Sequence, residues 1–163
     1  MSKNNITLFG KYLKSLKASP SKIESLVGIP AKNITLLSTN NRRIIYGDEF
    51  YKIINAAHYL SEIPEGYFIN AIDSIFPDRV RVKLMDDYKH YSPEGQFFKK
   101  YTQQQIEIET KLGYSKNQIS KYFNDNKKRV RADDLILFIE GMELNLLETF
   151  KEIYGSLHFP EIH

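Results

Sequence analysis

The stretch KLGYSKNQISKYFN, residues 111–124, decides how this chain is read. Gly113 separates two runs of helix-forming residues, and Ser115 follows where a helix N-cap would stand. Ile119 and Tyr122 then fall at helical spacing and predict an inward face. Lys116, Asn117, Ser120 and Lys121 are left on the outward side. The stretch therefore predicts a helix, a tight turn, and a second helix with a cationic outer surface.

The pattern occurs twice. IESLVGIPAKNITLLSTNNRRIIYGDEFYKII (23–54) lies without a gap over IETKLGYSKNQISKYFNDNKKRVRADDLILFI (108–139). Ile23 meets Ile108, Glu24 meets Glu109, Gly28 meets Gly113, and Ile34 meets Ile119. Arg42 and Arg43 meet Lys127 and Lys128, and Asp48 meets Asp133. The shared order of glycine, apolar, basic and acidic positions points to an internal repeat.

Other elements follow from periodicity and caps. Phe9, Tyr12, Leu13 and Leu16 share one helix face, and Phe97, Phe98 and Tyr101 answer them in the second copy. Ser19-Pro20 predicts an N-cap with proline at the first helical position, and Gly28 ends that helix in a left-handed conformation. A third helix is expected from about Pro30 to Ser38, with Ile34 and Leu37 inward. A fourth opens near Asp48, whose charge suits the helix dipole, and turns Phe50, Ile53, Ile54 and Ala57 inward. In the second copy Leu135, Phe138, Ile139 and Met142 are expected inward, with a last helix over Leu144–Ile153. RVRVKLM (79–85) fits an exposed strand by alternation, yet Val80, Leu84 and Tyr88 are also spaced for a helix; helix or irregular linker is the preferred reading.

Composition bounds the function classes. The 163 residues are 42% hydrophobic, so a core can be buried. Without cysteine there are no disulfides, thiolate zinc sites or cysteine nucleophiles, which fits a cytoplasmic protein. No apolar run approaches the ~18 residues of a membrane span, and the start is too polar for a secretory signal. The net charge of +3 is mild but unevenly placed. Residues 116–131 hold six basic residues and one acid, whereas residues 133–152 hold six acids and one lysine. That segregation reads either as ordinary solvated faces or as a basic surface aimed at a polyanion.

Gln105, Ile108, Leu112, Gly113, Ser115, Ile119 and Ser120 resemble the helix-turn-helix pattern of the phage-repressor and Cro type, also called the xenobiotic-response-element type. The resemblance covers residues 94–154 and, through the repeat, residues 8–70. It departs at Glu24 and Glu109, where the family usually carries a small residue at a close helix contact. A glutamate there must bend outward or find a partner. The first copy also has Pro20 where the family has glutamine.

The resemblance implies an all-α protein of two tandem helix-turn-helix modules. The expected boundaries are 5–75 for a degenerate first module, 76–92 for a linker, 93–156 for the second module and 157–163 for a tail. It implies sequence-specific binding of double-stranded DNA, most simply by a transcriptional regulator, with the second helix of the motif in the major groove. Lys116, Asn117, Ser120 and Lys121 are the expected base readers, since asparagine pairs with adenine edges and lysine donates to guanine acceptors. Gln105, Lys127, Lys128, Arg129 and Arg131 are expected at phosphates. Ala31, Lys32, Thr35, Arg42 and Arg43 are the weaker candidates of the first copy, where Leu36 either touches a thymine methyl or packs against protein. Two half-sites would be engaged by both modules of one chain or by a homodimer.

No other chemistry is legible. His58, His90, His158 and His163 lack metal-ligand spacing, there is no glycine-rich phosphate loop, and the acid pairs Asp86-Asp87 and Asp133-Asp134 have no nucleophile or base beside them. No catalytic site, metal, cofactor or membrane association is expected. The rival reading is a helical protein-interaction scaffold or dimerisation module, which would expose Leu36, Tyr46 and Tyr114 as one apolar patch.

Overall fold

The structure, a computed structural model, describes residues 6–83, 92–95, 98, 105–124 and 129–160. These residues are all-helical, with no strand among them. The chain divides into two compact units, one of residues 1–78 with 147–163 and the other of residues 79–146.

The first unit begins with α1 (Leu8–Lys14). Thr7 caps it: its Oγ1 accepts from Gly10 N at 2.9 Å and donates to Leu37 O at 2.8 Å. Ser19 and Pro20 open α2 (Pro20–Val27), and Gly28, at φ 77°, closes it. The proline lacks an N–H that would be unsatisfied there, and glycine meets no Cβ penalty in the left-handed region. α3 (Ala31–Thr39) and α4 (Gly47–Leu60) follow, the latter opened by Glu49 Oε1 accepting from Tyr46 N at 3.2 Å. A 3₁₀ turn (Glu65–Tyr67) leads into α5 (Phe68–Ile75). α1 packs on α3 and α5, while α2 packs on α3 and α4. Residues expected inward on α3 and α4 meet Ile23 of α2 there: Ile23, Ile34, Phe50, Ile53, Ile54 and Ala57 are fully buried, while Leu26 and Val27 of α2 are half-buried. His58 is buried too, with Nε2 2.6 Å from the Tyr12 hydroxyl and Nδ1 without a partner.

The second unit contains α6 (Gln105–Leu112), α7 (Gln118–Asn124) and α8 (Ala132–Gly141). α6 packs on α7 and α8 around Leu112, Ala132, Ile136 and Ile139. Here the buried α8 face differs from expectation. Ile136 is buried, whereas Leu135, Phe138 and Met142 are only half-buried. Residues 79–83 carry no regular structure. Arg79 instead forks onto Glu140 of α8, with Nε–Oε1 at 2.8 Å and Nη2–Oε2 at 3.0 Å. Phe97 and Tyr101 lie outside the described residues, and Phe98, expected on an inward face, is 66% exposed.

The last helix, α9 (Leu146–Tyr154), departs from the order of the repeat. From Leu147 onward it belongs to the first unit, although the repeat counts it with the second copy. Phe150 is fully buried among Phe50, Tyr51 and Phe68, and the Phe68 and Phe150 rings meet edge-on at 5.2 Å. Tyr51 donates its hydroxyl to Gly155 O at 2.7 Å, and Lys151 Nζ lies 2.5 Å from Glu65 Oε1. Within the expected tail, the Phe159 ring lies 4.9 Å from the Tyr59 ring. The amphipathic pattern of α9 reported that a face is buried but carried no information about which core receives it.

Candidate nucleic-acid interface

α6 ends as the sequence indicates. Gly113 adopts φ 73°, and Tyr114 N returns to Glu109 O at 2.9 Å. The next helix begins later than expected. Residues 115–117 form a turn, and α7 starts at Gln118 rather than directly after Ser115. Lys116 and Asn117 therefore precede α7, and Ser115 is not its cap. Ser115 N donates to Gln118 Oε1 at 2.9 Å.

The physical reason is Glu109. The residue is 5% exposed, and its carboxylate accepts from Asn117 N at 3.1 Å and from Ile119 N at 2.9 Å. Those amides are among the unpaired donors of the helix start, so an α6 side chain supplies the cap. Asn117 takes φ 65° to present its N–H, a left-handed conformation that asparagine tolerates better than most residues. In the first unit Glu24 Oε1 plays a lesser form of the role, accepting from Ala31 N at 3.0 Å while exposed to solvent. Both glutamates that depart from the family pattern have thus found partners on the following helix.

A second network holds the inner side of α7. Gln118 Nε2 donates to Asp134 Oδ2 at 2.9 Å and to the Tyr122 hydroxyl at 3.1 Å, and that hydroxyl donates to Asp134 Oδ2 at 3.0 Å. The Tyr114 hydroxyl donates to the Asp134 carbonyl. Burial is the main cause pushing the Asp134 carboxyl and the Tyr114 and Tyr122 hydroxyls above their ordinary pKa values. Asp134 and Gln118 are the chief α7 anchors. Gln118 carries two local sequence signals, the Ser115-x-x-Gln118 spacing of a capping box and the four-residue step to Tyr122, whereas nothing local links it to Asp134.

Of the expected base readers, Lys116, Asn117 and Lys121 are exposed and Ser120 is half-buried. Lys121 N bonds Asn117 O at 3.0 Å, so these two residues are one helical turn apart on the same side. Ile119 and Tyr122, expected inward, are half-buried. Arg129 and Arg131 are exposed, but the Arg131 guanidinium is already forked onto Asp133, with Nε–Oδ1 at 3.1 Å and Nη2–Oδ2 at 3.0 Å. A phosphate at Arg131 must compete with that carboxylate. Lys127, Lys128 and the Gln105 side chain lie outside the described residues.

In the first unit Lys32, Thr35, Arg42 and Arg43 are exposed, and Ala31 is half-buried with its N–H committed to Glu24. Leu36, Tyr46 and Tyr114, the apolar residues of the scaffold reading, are each half-buried. Among the described residues no cluster of three histidine or acidic side chains could hold a metal ion, and no helix is long and apolar enough to cross a membrane.

No protein-family model, curated protein or solved structure matches the chain.

Proposed function

We propose that the chain binds double-stranded DNA in a sequence-specific way as a transcriptional regulator, with residues 115–124 entering the major groove. The observation that carries this reading is the exposure of Lys116, Asn117 and Lys121 on an element anchored from within by Glu109 and Asp134. Rigid support matters because base readout requires donors held at fixed positions. Lys116 and Asn117, placed on the turn, would reach base edges from the helix start, and Lys121 would meet a neighbouring base or phosphate. The resemblance to the phage-repressor and Cro type supplies the tandem helix-turn-helix arrangement of this proposal. The degenerate first copy then supports the second, or a homodimer provides the second half-site.

The test is selection of bound duplexes from a random pool, repeated with Lys116→Ala/Asn117→Ala/Lys121→Ala. The expected result is one enriched motif, lost in the triple variant, with each good contact worth about 1–3 kcal/mol of discrimination. Lys127→Ala/Lys128→Ala should weaken all duplexes alike and flatten the salt dependence. Binding without an enriched motif, unchanged by the triple substitution, would overturn the proposal.

A further inference from the structure

α1, the start of α2 and the end of α3 line an open cavity of about 580 Å³ within the first unit. Ile6, Leu13, Leu16 and Ala18 give it an apolar interior, buried or half-buried. Lys14, Lys17 and Lys22 line it from exposed positions. Among the described residues the lining includes no aspartate or glutamate, and none of these three ammonium groups has a carboxylate within 4 Å. Three like charges around an apolar recess repel one another, and a bound anion relieves that repulsion.

The walls are fixed. α1 already lies against α3, where a Cβ on Gly10 would run into the Ser38 carbonyl and sit 2.9 Å from Ser38 Cα. Thr7 N donates to Ser38 O at 2.9 Å, pinning that seam. Beyond α1, Lys17 N donates to Ser61 Oγ at 2.9 Å and holds the following segment as well. With both ends tied, the gap cannot close by sliding α1. Its volume falls within the range of about 300–1,000 Å³ that small-molecule sites occupy.

We propose that this cavity binds a small anionic amphiphile, with an aliphatic chain against Ile6, Leu13 and Leu16 and a carboxylate or phosphate head among Lys14, Lys17 and Lys22. A nucleic-acid backbone satisfies the lysines but leaves the apolar interior wet; a neutral hydrocarbon does the reverse. The occupant that meets both demands carries one charged end and one apolar end. The site lies wholly within the first unit, and the inference does not depend on DNA binding by the second.

The test is titration of the full chain with decanoate, decyl phosphate, decanol and acetate, followed by calorimetry and amide chemical shifts. Decanoate and decyl phosphate should saturate a single site, with shifts centred on Gly10–Lys22 and Thr35–Thr39. Decanol should bind more weakly and acetate not measurably. Lys14→Gln/Lys17→Gln/Lys22→Gln should lower decanoate affinity about tenfold or more, through lost charge-assisted contacts, and leave decanol unchanged. These lysines are exposed, so this variant keeps the fold; Ala18→Phe, which fills the recess, should remove decanoate and decanol binding together. Non-saturable binding, shifts outside these segments, or equal decanoate affinity in the triple-glutamine variant would each overturn the proposal. Equal affinity for decanol and decanoate would overturn it as well.

Discussion

Glu109 accepts from Asn117 N and Ile119 N while almost wholly buried, so removing it strands two donors at the start of α7. Glu109→Ala should destabilise the second unit by about 1–3 kcal/mol, the usual consequence of unsatisfied buried groups. Glu109→Gln keeps one acceptor oxygen and should lose less. Glu24→Ala removes one hydrogen bond from an exposed carboxylate and should cost only about 0.5–1 kcal/mol. Amide hydrogen exchange at the buried Ile136 and Ile139, and at Ile23 and Ile34, reads the two units separately; equal losses at both sites would contradict the capping account. His58 supplies a pH test. Burial holds its imidazole below the ordinary value of 6.5, so the unfolded chain takes up a proton more readily than the folded one. Its contribution to stability is therefore fully present above pH about 6.5 and is lost as pH falls towards its folded value. The melting temperature should drop from pH 7.5 to pH 5, and His58→Gln should flatten that slope. The glutamates were visible in the sequence as departures from a pattern, whereas the Tyr12 hydroxyl beside His58 was not, because 46 residues separate the pair.

At the scale of elements, the α1–α3 seam rests on the absence of a side chain. Gly10→Ala would gain helix propensity but force a Cβ against Ser38 backbone, which cannot rotate away as a side chain could. A net loss of about 1–3 kcal/mol is expected from such overpacking. Gly66→Ala, with nothing within 4 Å of its Cβ position, is the control and should be near neutral. Thermal unfolding of both variants checks this, and a stable Gly10→Ala protein would contradict the seam. Helix existence was legible because proline, glycine and apolar spacing act locally: Ser19-Pro20 and Gly28 bound α2 where they stand. The start of α7 was not legible from Ser115, because the groups that set it, Glu109 and Asp134, reach across from α6 and α8. Part of the candidate surface was legible for the same local reason. Lys121 need only point away from Ile119 and Tyr122 on α7, and the Arg131–Asp133 fork spans two residues, but the turn that carries Lys116 and Asn117 and the Gln118–Asp134 contact depend on tertiary placement.

For the whole molecule, the test concerns Phe150, which enters the first unit although the second precedes it in the chain. Phe150→Ala should cost about 3–5 kcal/mol, as for other fully buried aromatic truncations. The loss should appear in the exchange protection of Phe50–Ala57 and leave Ile136 and Ile139 protected. Loss at Ile136 and Ile139 alone would contradict the assignment of α9. The repeat made the two similar segments legible and not the division into units, since self-similarity describes ancestry along the chain while packing follows whichever apolar surface is in reach.

Synthesis runs from one end of the chain to the other, and domains usually finish in that order. Here the leading segment is also a late finisher. Residues 79–146 emerge as a complete insert while their host still awaits Phe150. A nascent polypeptide halted in that interval leaves Phe50, Tyr51 and Phe68 without their closing ring, and those aromatics become the sticky surface for chaperones or for neighbouring copies.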